Sequence, residues 1–115
     1  MQQNEKKMIL TTEEQEAIIC FSDNVKLLPM MYNHIDFLTV HNIPVQKYEK
    51  EIDLILEQLY LFEKVMDRVL DRQLRVIMRC RYALGMKTDD IGFFMNISRN
   101  TILKYLKDIM PNCTD

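Results

Sequence analysis

Tryptophan is missing from this chain of 115 residues, and glycine (two) and proline (three) are scarce. Two glycines, Gly85 and Gly92, cannot build a phosphate-cradling loop of either common type, because such loops need several in close register. So few turn formers also exclude a sandwich or barrel, which needs a turn every ten residues or so. The length leaves no room for a doubly wound nucleotide-binding fold with a separate substrate domain. Cysteine is sparse as well: Cys20, Cys80 and Cys113 are odd in number, far apart and in no metal-ligand spacing. They read as the reduced thiols of a cytosolic protein. No apolar run approaches the roughly 18 residues of a membrane span, and the polar start, Met1 to Lys7, shows no secretion signal. The expectation is a cytoplasmic protein without membrane contact.

No catalytic constellation is present either. His34 and His41 stand seven apart, whereas two ligands on one helical face need a spacing of three or four. Asp89 and Asp90 are adjacent, so they diverge on a helix and are explained by helix capping. The chain is therefore expected to be no enzyme and to carry no metal or cofactor. Nine methionines are present, and Met66, Met78 and Met95 fall on apolar faces as core fillers.

What is there is an all-α pattern with an uneven charge. The formal net charge of −2 divides into ten acidic residues against five lysines over 1–57, and seven acidic against ten basic over 58–115. The halves thus carry −5 and +3, and all six arginines lie between Arg68 and Arg99. Such asymmetry points to anion binding by one half, with a solvated helix face as the plain alternative.

Residues 1–10 read as a tail. Thr11 and Thr12 precede Glu14 and Gln15 by three residues, a double chance at a capping box. Ala17, Phe21, Val25 and Leu28 then predict a helix over 12–28, ended by Pro29. Residues 30–41 are expected to form a short second helix, broken at Asn42 to Pro44, so that 1–44 reads as an N-terminal helical segment. Over 45–70, Tyr48, Ile52, Ile55, Leu59, Phe62, Met66 and Val69 keep an unbroken heptad spacing. This seam either packs on the first helix as ordinary core or joins two copies in a homodimer through Ile52, Ile55, Leu59, Phe62 and Met66. Asp71 caps the next helix, whose apolar face runs through Leu74, Ile77, Met78, Arg81 and Tyr82 to a left-handed Gly85. Arg72, Arg75 and Arg79 share one face of it and suit phosphate contact.

Residues 71–115 carry the most specific signal, a helix-turn-helix pattern. Thr88 is expected to cap a short helix with Asp89 and Asp90 in its first turn and Ile91, Phe94 and Met95 inside. Asn96 supplies the left-handed turn residue, Ile97 a buried pivot, and Ser98 the next cap. The following helix, about 98–110, turns Ile102, Tyr105, Leu106 and Ile109 inward and stops at Pro111. Its outer face offers Arg99 and Asn100 for base edges, and Ser98, Thr101, Lys104 and Lys107 for phosphates of double-stranded DNA. Lys87 and Thr88 add contacts at the start of the preceding helix.

The run "RCRYALGMKTDDIGFFMNISRNTILKYLK" resembles region four of bacterial sigma factors. More closely, it resembles the small sigma-region-four-like regulators of phages and integrated elements, the ArpU/RinA type. The matching pieces are Arg81-Tyr82, Gly85, Ile91, Ile97-Ser98, Thr101-Ile102 and Tyr105-Leu106, and the resemblance spans about 45–110. Gly92 departs from it where that group has Ala, and Asn96 where it has the turn Gly. The resemblance implies promoter-region DNA binding and transcription control. Two alternatives stay open: a protein-interaction module that docks on RNA polymerase or another regulator, and a small packaging-type DNA-recognition subunit.

Overall fold

The protein's structure, a computed structural model, describes residues 8–111. All regular structure among them is helical. Five helices follow in order: α1 (Thr12–Val40), α2 (Gln46–Arg68), α3 (Arg72–Met78), α4 (Thr88–Met95) and α5 (Arg99–Ile109). The all-α expectation holds. Cys113 lies outside the described residues.

Helix α1 starts where its cap dictates. The Thr11 hydroxyl accepts from the Glu14 amide at 3.0 Å, and the Glu14 carboxylate accepts from the Thr11 amide at 2.9 Å. Of the two possible capping boxes only this one forms. The predicted stop at Pro29 does not occur: the helix runs through it to Val40, so the two expected helices are one of 29 residues. Proline removes its own amide from the ladder and crowds the carbonyl four residues back, at about 3 kcal/mol. Ile35 and Leu38, beyond it, still bury themselves toward α2, and that packing carries the helix onward. On the inner face Asn24 takes the place expected for Val25, donating from Nδ2 to Gln58 Oε1 at 2.9 Å.

A left-handed Asn42 (φ 58°) turns the chain, and α2 returns antiparallel to α1. Phe21 and Phe62 stack at 3.9 Å between centroids, and His34 meets Tyr48 edge-on at 4.9 Å, which fixes the register. The two helices form an arm in a molecule measuring 59 × 28 × 21 Å. Its base enters a continuous core: Leu10 and Ile18 join Phe62, Val65, Met66 and Val69, then Ile77, Met78, Ile91, Ile102 and Leu106. Fully burying each such side chain stabilises the fold by about 1.5–3 kcal/mol. Leu10 and the half-buried Met8 thus belong to the core, not to a loose tail.

The C-terminal unit is built from short helices with defined ends. Asp71 caps α3 by accepting from the Gln73 and Leu74 amides at 2.9 and 3.2 Å. Beyond Met78 the helix widens into a π-helical turn over Arg79–Ala83, where the Leu84 amide donates to the Arg79 carbonyl five residues back. Gly85 at φ +70° then reverses the chain, as expected.

Candidate nucleic-acid interface

Helices α4 and α5 are joined by three residues, each with a separate task. Asn96 sits in the left-handed region at φ 58°, which asparagine tolerates better than most side chains. The Ile97 amide donates to the Gly92 carbonyl at 2.9 Å and closes the end of α4. Ser98 caps α5, its hydroxyl accepting from the Thr101 amide at 3.2 Å. Gly92 explains the tightness of this turn. A Cβ at that position would stand 2.6 Å from the Ile97 carbonyl oxygen, so the glycine permits a close backbone approach.

The capped α5 divides cleanly. Ile102, Leu106 and Ile109 are buried, and Tyr105, half-buried, donates its hydroxyl proton to Gln73 Oε1 at 2.8 Å. Ser98, Arg99, Asn100, Thr101, Lys104 and Lys107 are all exposed. Ser98 and Thr101 share a hydroxyl–hydroxyl bond of 2.8 Å, and Arg99 Nε lies 3.1 Å from the Asp89 carboxylate across the turn. Asp89 therefore orients the arginine at the entry of α5, a role that sequence gave no hint of. The two residues are ten apart, and only the turn brings them together.

Other expected positions fall elsewhere. Lys87, not Thr88, is the residue before α4, and it is exposed without a side-chain cap. Thr88 is the first helical residue and only 2% exposed, so it cannot touch a ligand. Its Oγ1 finds no hydrogen-bond partner among the described residues. Ile97 is half-buried, short of the buried pivot expected. Phe94 faces out rather than in: it is 67% exposed and Phe93 is 91% exposed, while Thr88, Ile91 and Gly92 form the inner side.

The arginine row is only partly available. Arg72 is exposed, but Arg75 is half-buried and donates from Nη1 to the Val69 carbonyl at 2.7 Å, bracing the α2–α3 junction. Arg79 holds Glu63 through both terminal nitrogens, at 3.2 and 2.8 Å, and its guanidinium lies 5.8 Å from the Phe62 ring centroid. The Glu63 carboxylate raises the Arg79 pKa above its ordinary value. Arg68 pairs with Glu14 at the arm's base. Sequence missed these acidic partners because Glu63 and Glu14 stand 16 and 54 residues away. Cys80 is buried, and desolvation pushes its thiol pKa up, away from the reactive thiolate.

The heptad seam is occupied within one chain. Ile52, Ile55, Phe62 and Met66 are buried and Leu59 half-buried in the packing of α2 on α1 and the core. Among the described residues no cluster of three His, Cys, Asp or Glu could hold a metal ion, and no helix is long and apolar enough to cross a membrane. His34 and His41 meet Tyr48 and Phe37 instead. No family model, curated protein or solved structure matches the chain.

Proposed function

We propose that the C-terminal unit is a helix-turn-helix that binds double-stranded DNA and acts in transcription control, with α5 in the major groove. One observation carries this: five polar or basic side chains, Arg99, Asn100, Thr101, Lys104 and Lys107, are exposed with Asp108 on the outer side of a helix whose opposite face is core, and Ser98 is exposed at its N-cap. They gather toward the N-terminal end, which such units present to base edges. Arg99 suits guanine and Asn100 adenine, while Lys104, Lys107 and Arg72 suit phosphates. The likeness of the sequence to sigma-region-four-type regulators supports the same reading. Thr88 drops out of the contact set and Arg75 braces the α2–α3 junction, while Arg79 and Arg99, both exposed, would each exchange a carboxylate partner for the DNA.

Selection of binding sites from random duplex DNA tests this, followed by titration at several salt concentrations. Affinity should fall steeply with salt as bound phosphates release counterions. On the selected site Arg99→Ala should cost about 1–3 kcal/mol and relax one base preference while leaving the melting temperature unchanged. An Arg99→Ala variant with full affinity and preference removes α5 from the groove.

A second reading has its own observation. Phe93 and Phe94 project from α4 beside Asp89 and Asp90, an acidic and aromatic face that suits a protein partner such as RNA polymerase or another regulator. Salt-insensitive capture of such a partner, with no DNA shift, would favour it.

A further inference from the structure

Helix α1 carries two heptad stripes on opposite sides. The inner stripe, facing α2, runs through Ala17, Phe21, Asn24, Leu28, Met31, Ile35 and Leu38. Two positions after each comes a second series: Ile19, Asp23, Lys26, Met30, Asn33, Phe37 and Val40. Two residues turn a helix by about 200°, so this second stripe lies on the far side. Its steps of four, three, four, three, four and three are those of a coiled-coil seam. All seven residues are exposed, with Ile19 at 62%, Met30 at 64%, Phe37 at 58% and Val40 at 76%. Helix α2 has no counterpart. Two positions after its own inner residues stand Lys50, Leu54, Glu57, Leu61, Lys64 and Arg68, four of them charged. A helix apolar on two sides has two neighbours in its native setting, and α2 supplies only one.

We propose that the outer stripe of α1 is the contact between two copies of this chain, packed antiparallel about a two-fold axis. The stripe's own charges identify the occupant. Asp23 and Lys26 are its only charged members, opposite in sign and three residues apart. In an antiparallel pair Asp23 of each copy meets Lys26 of the other, twice, and the same register sets Ile19 against Met30. A parallel pair would set Asp23 against Asp23 and Lys26 against Lys26, which destabilises. A two-fold contact must be complementary to itself, and this stripe is. In this register Asn33 faces Glu16 and Phe37 faces Thr12 of the other copy, both exposed, so the paired span runs from Thr12 to Phe37. That is roughly 38 Å of helix, long enough for the roughly 800 Å² per partner of a stable interface. The resulting contact brings together four helices, with the two α2 helices on the outside presenting their charged faces to water. It does not use the Ile52–Met66 seam, which is spent inside each arm.

Sedimentation velocity of the full chain over a range of concentrations tests the proposal, with circular dichroism melts as a check on folding. The wild type should sediment as a dimer at micromolar concentration. Met30→Lys should yield monomers with unchanged helicity, because the residue is exposed in the single chain. Asp23→Lys and Lys26→Asp should each weaken the dimer by about tenfold or more, and the double swap should restore it, since only an antiparallel register regains both pairs. A wild type that stays monomeric overturns the proposal. So does a dimer that survives Met30→Lys, or single charge reversals that change nothing.

Discussion

The arm and the C-terminal unit solve the same problem, burying helices, by opposite means. In the arm, two long helices are held by a seam that repeats, with two ring contacts and one side-chain hydrogen bond to set its register. In the C-terminal unit no helix exceeds eleven residues, and each is held by what happens at its ends. Asp71 and Ser98 cap, Gly85 and Asn96 reverse, and Gly92 lets two backbones close. Long helices tolerate an unfavourable residue, as α1 tolerates Pro29, because many contacts share the load. Short ones depend on single residues.

The contrast is broken most severely at the place where the two regions meet. Phe62 is fully buried, stacked on Phe21 and covered by Arg79, so it belongs to both. Phe62→Ala should destabilise by about 3–5 kcal/mol and lower one cooperative transition in urea. Two separated transitions would show that arm and C-terminal unit fold independently. Next comes Gly92→Ala, which helix propensity alone would favour by about 1 kcal/mol. The Cβ would meet a backbone carbonyl, so the variant should instead lose about 1–3 kcal/mol. A gain in stability would show that the turn relaxes freely.

The smallest expected effect sharpens the comparison at the arm's base. Glu14 has its pKa held below the ordinary 4.5, first by the Thr11 amide and then by Arg68, against an opposing push from burial. Because the folded value is the lower one, its stabilisation is complete above pH 4.5 and is lost as the pH falls through the folded value. Stability measured from pH 6 downward should therefore decline more in the wild type than in Glu14→Gln. Equal slopes would remove the Thr11–Glu14–Arg68 cluster from the account.

Signals that lie within a few residues of their effect were legible in the sequence. The caps at Thr11, Asp71 and Ser98 and the reversals at Gly85 and Asn96 each follow from one residue's chemistry acting on the backbone within three residues of it. The heptad over 45–70 was legible as a seam, but whether its partner was α1 or a second copy depended on contacts far along the chain. The errors share a physical cause. Pro29 was read by its local cost, which packing beyond it outweighs. Thr88 was read as a cap because threonine can cap, whereas Lys87 has the extended backbone and Thr88 is core. Gly92 stood out only as a departure from the Ala of the resembled group, and its reason, the Ile97 carbonyl beside it, lies across the turn. Of the site, the outer face of α5 was legible from its periodicity. The bond of Arg75 to Val69 and the pairing of Arg79 with Glu63 were not.

Three side-chain bonds relay α5 to the arm's base: Tyr105 of α5 holds Gln73 of α3, Arg75 of α3 holds the Val69 carbonyl at the end of α2, and Arg79 beyond α3 holds Glu63 of α2. Together with the shared core they tie the α5 face to the arm. Two copies joined arm to arm would therefore hold their α5 faces at one fixed separation. With α5 in the major groove as proposed, the spacing between paired half-sites would be measured by the length of α1, as by a ruler. Deleting one heptad from each helix of the arm would change the permitted spacing while leaving the preferred bases untouched.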